Sequence, residues 1–97
     1  MKVRWDFRAV QDLHAIRRYV AAHGSPDSAE RIRKYVVARV DRLRSHPRLG
    51  VPSDNPDVRI LAPTRYPYRI YYTVRGQEVV ILHIRHTARA APDDLAP

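Results

Sequence analysis

Seven residues that could do chemistry crowd into the last third of this 97-residue chain: Arg65, Arg69, Tyr71, His83, Arg85, His86 and Arg89. Their types suffice for metal-free RNA cleavage. That reaction needs a base for the ribose 2′-hydroxyl, a cation for charge developing on phosphate, and an acid for the leaving oxygen. Histidine and tyrosine can act as acid or base, arginine can clamp phosphate, and tyrosine rings can stack on unpaired bases. The same types equally suit a docking face, since arginine and tyrosine are enriched where proteins meet. Residue types alone leave both readings open.

Other chemistries are poorly supported. With no cysteine, disulfides, thiol catalysis and thiolate metal sites are excluded. His83 and His86 lie three apart, which strand alternation turns to opposite faces, and His14, His23 and His46 are scattered. No metal and no cofactor are expected. Three glycines make no phosphate-binding loop, and neither Ser53 nor Thr87 sits in a nucleophile motif. The chain carries 18 Lys+Arg against 10 Asp+Glu, a net charge of +8. Only Lys2 and Lys34 are lysines, so the charge is nearly all arginine, which suits bidentate contact with phosphate or carboxylate. A polyanion or an acidic protein is the kind of partner this favours; a solvated basic surface is the plain alternative. No apolar run of ~18 residues is available to span a membrane, and the first residues lack a secretion signal. A cytoplasmic chain with no membrane partner is the expectation.

The elements that must position these residues follow from periodicity. Lys2 to Trp5 alternates as a short strand with Val3 and Trp5 on one side. Ala9, Leu13, Ile16 and Val20 form one helical stripe, which Gly24 ends. Ser25 caps a second helix with Pro26 at its first position and Asp27 and Glu30 near its positive end. Ala29, Ile32, Val36, Val40 and Leu43 share its apolar face, and Pro47 stops it near Ser45-His46. Gly50 to Pro56 reads as a loop, and Val58 to Leu61 as a short strand.

A hairpin completes the chain, turning at Arg75-Gly76-Gln77 with a positive φ at glycine. Simple alternation buries Ile70, Tyr72, Val74, Val80, Leu82 and Ile84 against the helices. It leaves Arg69, Tyr71, His83 and Arg85 on an open face, and a one-residue slip would exchange the two. The tail from Ala90 to Pro97 has little apolar content and is expected to be mobile. The fold expected is α+β, one domain over residues 1–97: an N-terminal strand, then a helical hairpin on one face of a small, mainly antiparallel sheet.

Four ordered segments resemble the RelE/ParE superfamily of bacterial type II toxin–antitoxin toxins. They are Ala9-Val10-Gln11-Asp12-Leu13-His14-Ala15-Ile16, His46-Pro47-Arg48-Leu49-Gly50, Tyr66-Pro67-Tyr68-Arg69-Ile70-Tyr71-Tyr72 and His86-Thr87-Ala88-Arg89. The resemblance implies a helical hairpin on a curved antiparallel sheet, and a toxin neutralised by a cognate ParD- or RelB-like antitoxin in a hetero-oligomer. RelE-like members cut mRNA on the ribosome, whereas ParE-like members inhibit DNA gyrase and are not known to cleave RNA. By resemblance, Arg69 and Arg89 match functional arginines of RelE-like toxins, with His86 or Tyr71 as the accompanying acid or base. The tail after Arg89 lacks the tyrosine or histidine that RelE-like members place there, which tilts the resemblance toward ParE. On that reading Arg65, Arg69, Tyr71, His83, Arg85 and Arg89 contact target or antitoxin, and the chain is not an enzyme. On the RelE-like reading it is a metal-independent endoribonuclease. A non-toxic nucleic-acid-binding module is a third reading.

Overall fold

The computed structural model describes residues 1–96. Strand β1 (Lys2–Trp5) leads into helix α1 (Phe7–His23) and helix α2 (Pro26–Asp41), which ends in a 3₁₀ turn at Arg42–Arg44. Strands β2 (Val51–Pro52), β3 (Arg59–Leu61), β4 (Tyr68–Arg75) and β5 (Glu78–His86) follow. They form one sheet in the order β1-β5-β4-β3-β2. Only β1 runs parallel to its neighbour, from Lys2↔Glu78 to Trp5↔Ile81. The helical hairpin, the N-terminal strand and the hairpin turn are as expected, including Gly76 at φ 59°. Strand β2 lies in the segment read as loop; Pro52 there is confined to the sheet's edge, where its missing N–H is harmless.

Local signals explain the helices. Asp6 caps α1, its carboxylate accepting the Arg8 amide at 2.9 Å. Ser25 caps α2, its hydroxyl accepting the Ser28 amide at 3.0 Å, with Pro26 at the first position. Ala9, Ile32, Val36, Val40 and Leu43 are buried against Leu61, Ile70, Tyr72, Val79, Ile81 and Ile84 of the sheet. Leu13, Ile16 and Val20 complete the α1 stripe at the rim of that core. No helix is long and apolar enough to cross a membrane among the described residues.

The facing of β5 differs from simple alternation. Tyr71 pairs with His83, but Tyr72 pairs with Ile81, so Leu82 is an extra residue in the strand. Such a bulge switches which side chains share a face. Val79 and Ile81 therefore join Ile70, Tyr72 and Ile84 under the helices. Val80 and Leu82, expected there, lie instead in a second cluster with Val58 and Tyr71. Val74, also expected in the core, is 38% exposed near the hairpin end.

The Tyr72 side chain fastens the His46–Gly50 loop to the main core. The buried Tyr72 hydroxyl donates to the Pro47 carbonyl at 2.8 Å and accepts the Gly50 amide at 2.8 Å. Burial pushes the Tyr72 phenol up from its ordinary pKa of 10.0. A Cβ on Gly50 would sit 2.7 Å from the Tyr72 ring and 2.9 Å from the Ile60 carbonyl, so only glycine fits. Gly50→Ala should cost about 1–3 kcal/mol through overpacking, and Tyr72→Phe about 1–2 kcal/mol through two lost bonds. Urea denaturation of both variants checks this; unchanged midpoints would refute the fastening role.

Candidate functional site

The geometry of the site begins where β1 stops. The Asp6 amide still bonds the Ile81 carbonyl at 2.9 Å, and there the chain turns into α1. Beyond Ile81, no strand among the described residues lies beside this edge of β5. Asp12, one turn into α1, supplies the missing acceptor: its Oδ2 takes the Ile84 amide at 2.9 Å and faces His83 Nδ1 at 2.7 Å. His83 Nε2 lies 2.8 Å from Asp94 Oδ1 in the C-terminal tail. A buried imidazole thus sits between two carboxylates, with 6% of its surface exposed. A neutral ring donates to one of them, a charged ring to both. The bond to His83 holds the Asp94 carboxyl below the usual carboxylate range, with further help from the charges of His83 and Arg8.

The tail is fastened from a second side. Arg8 donates from Nη1 to the Asp94 carbonyl at 2.7 Å and from Nη2 to the Ala96 carbonyl at 2.9 Å. Its fork also grips Asp6, with Nε to Oδ1 at 2.8 Å and Nη2 to Oδ2 at 3.1 Å. That side-chain bond first, and the Arg8 amide second, hold the Asp6 carboxyl down at about 2. Pro92 is buried and Leu95 packs on the cluster of Val58, Tyr71, Val80 and Leu82. The tail, expected to be mobile, is placed here along the sheet face expected to be open; Pro97 lies outside the described residues.

The expected site residues fall into three settings. Tyr71 is 3% exposed and His83 6%, so neither offers its side chain to a partner. This corrects their assignment to an open basic face; the apolar seam beneath the tail is the physical reason. Arg69 and Arg85 are directly opposite each other on that face and half-buried. Each donates from Nη1 to the turn that follows β5, Arg69 to the Thr87 carbonyl at 3.5 Å and Arg85 to that of Ala90 at 3.2 Å. His86 and Arg89 lie on the helix side, lining a groove of about 480 Å³ with Asp12, Ile16, Tyr19 and Tyr68. Arg65 stands apart, exposed, with its guanidinium 5.7 Å from the Tyr66 ring centre.

Within the groove, His86 Nδ1 accepts the Ala88 amide at 2.9 Å, and its ring meets Tyr68 edge-on at 5.4 Å. That bond places the ring's proton on Nε2 when the ring is neutral. Asp12, Asp94, Arg8, Tyr19 and Tyr68 organise these surroundings and are not among the site residues expected from the sequence. Asp12 carried a signal, an acidic residue inside a helix away from its N-terminus. Arg8 and Asp94 are 86 residues apart and carried none. No group of three potential metal ligands occurs among the described residues.

Comparison with known proteins agrees with the architecture. A family model described as the ParE toxin of the type II toxin–antitoxin system parDE matches residues 3–91. Toxin RelE2 of Caulobacter vibrioides (strain ATCC 19089 / CIP 103742 / CB 15) is 35% identical over 89 residues, which span 91% of this chain and 97% of that protein. A solved structure of the chromosomal ParDE TA system from P. aeruginosa superposes with a TM-score of 0.81 at 31% identity. It covers 89% of this chain and 95% of that one.

Two measurements test the fastening. Asp12→Ala leaves the Ile84 amide and His83 Nδ1 without their partner and should cost about 2–4 kcal/mol; a chemical-denaturation midpoint within error of wild type would refute it. Asp6 has a folded pKa below its ordinary 3.8, so its stabilisation is complete above that value and lost as pH falls from 3.8 to about 2. Asp6→Asn keeps the cap and removes the titration. The stability gap between the two proteins, on the order of 1 kcal/mol at neutral pH after solvent screening, should close over that interval in an acid titration.

Proposed function

The chain belongs to the ParE toxin family of type II toxin–antitoxin systems, and from that premise we propose that it arrests growth by inhibiting DNA gyrase and is neutralised by a cognate antitoxin. One observation carries the choice of a protein target over RNA cleavage: most of the acid, base and phosphate-clamp candidates are buried or on opposite faces of the sheet, and of them His86 and Arg89 alone share a groove. Tyr71 is buried under the tail and His83 is held between two carboxylates. Arg69 lies on the sheet face opposite to His86, because Tyr68 rather than Arg69 shares the helix side with it. A general base must lie within hydrogen-bond reach of the proton that it takes, and the phosphate clamp must address the same phosphate. An inhibitor that binds a protein needs surface rather than convergence.

One feature supports a RelE-like second reading. His86 and Arg89 line a single groove with Tyr19 and Tyr68, which brings residue types suited to metal-free phosphodiester cleavage together. The two readings separate on His86→Ala. For a gyrase inhibitor, purified wild type should block DNA supercoiling at near-stoichiometric ratio, and the variant should match it within about twofold. For a ribosome-dependent endonuclease, mRNA cutting should fall by about 10²-fold or more in the variant and be abolished by Arg89→Ala. Gyrase unaffected by a protein that still arrests growth rejects the first reading.

A further inference from the structure

Arg69 and Arg85 are direct cross-strand partners. Like charges at directly opposed positions of a sheet repel, and a fold normally offsets them with an acid or avoids them. Neither is done here. None of the ion pairs among the described residues includes Arg69 or Arg85. Both side chains are half-buried, and Arg85 Nε is buried with no hydrogen-bond partner. Among the described residues, their side-chain bonds go to carbonyls of the Thr87–Ala90 turn, which orient the two forks without neutralising them. An uncompensated, oriented pair of guanidiniums costs stability in the isolated chain and is matched to an oxyanion.

We propose that the Arg69–Arg85 pair is a carboxylate-binding site for a glutamate or aspartate side chain in a partly apolar peptide segment of a partner protein. This rests on reading the tail-covered face as a partner surface and not on the identity of the toxin's target. The surroundings favour a carboxylate over a nucleic-acid phosphate. On the same face, a groove of about 690 Å³ runs past Pro52, Ile60, Tyr71 and Leu95 and carries Asp54 and Asp93. A phosphodiester chain adds charge at every step and needs a basic track to follow. The two aspartates of that groove would repel a chain charged at every step. A peptide satisfies both parts, placing one carboxylate on the guanidiniums and apolar side chains against Pro52, Ile60 and Leu95.

The test follows the arginine Nε–Hε signals of the full chain by NMR, where burial of Arg85 Nε slows its proton's exchange with water. The probes are the capped peptide acetyl-Leu-Glu-Glu-Leu-amide, its counterpart acetyl-Leu-Gln-Gln-Leu-amide, and dodecathymidylate. The glutamate peptide should shift the Arg69 and Arg85 signals saturably, leave that of Arg31 in place, and lose roughly five- to tenfold in affinity in Arg69→Gln or Arg85→Gln. The glutamine peptide should leave the pair unmoved. Thermal unfolding separates binding loss from misfolding: relief of the repulsion should leave the Tm of Arg85→Gln equal to or above wild type. Absence of a saturable shift, equal shifts by the two peptides, or tighter binding of dodecathymidylate at the same two signals would each overturn the inference. A protein that binds the glutamate peptide but leaves gyrase active retains this site and loses only the proposed target.

Discussion

A strand edge with no neighbour beyond Ile81 is the constraint on which the candidate site depends. Buried backbone donors must be paired, and an unpaired one costs about 1–3 kcal/mol. Strand β1 covers β5 only as far as the Trp5↔Ile81 pair, because the chain then turns into α1. Asp12 closes the gap from the helix by accepting the Ile84 amide. The same carboxylate oxygen meets His83, and His83 meets Asp94, so one edge bond extends into a link joining helix, sheet and tail. Arg8 completes that link from the helix N-terminus, gripping Asp6 with one part of its fork and the tail carbonyls with the rest.

Two apolar clusters follow from that arrangement, one on each face of the sheet. The larger is the helix–sheet core, and the smaller lies beneath the tail and the β2–β3 segment. A domain of this size buries little surface, so a second covered face adds stability where a single core supplies a modest amount. It also withdraws Tyr71 and His83 from solvent. What stays at least partly accessible is segregated: an arginine pair on the tail side, and a groove with His86 and Arg89 on the helix side. The two sides have different chemistry, the first able to hold an oxyanion and the second largely apolar with polar groups at its rim.

Arginine does several different jobs here, and charge counting alone does not separate them. Arg8 spends its fork on Asp6 and the tail, and Arg33 pairs with Glu30 one helical turn away at 2.7 Å. Arg59 ties β3 to the Gly50 carbonyl at 2.7 Å, and Arg39 reaches the Ala62 carbonyl at 2.6 Å. Only part of the net charge of +8 is therefore presented as an unoccupied binding surface. Arginine suits the structural tasks for the reason that suits it to anions, since its planar donors address two acceptors at once.

The sequence by itself determined both helices, the four longer strands and their order, but not the edge strand β2. The stripe of Ala9, Leu13, Ile16 and Val20, the Ser25-Pro26 cap and the glycine at the β4–β5 turn are local signals with local physical causes, and each is found in place. Family resemblance was legible too, in short motifs such as the His46–Gly50 loop, whose glycine is explained by its contact with Tyr72. Tertiary structure alone decided which side chains meet. The extra residue at Leu82 exchanged the faces of part of β5, and no local pattern marks a bulge when Val79, Val80, Ile81 and Leu82 are all apolar. The cover over Tyr71 depends on Arg8 meeting Asp94 and Ala96 across nearly the whole chain. Such a contact leaves no trace in periodicity, because periodicity reports one element's buried side and not what comes to lie on the other.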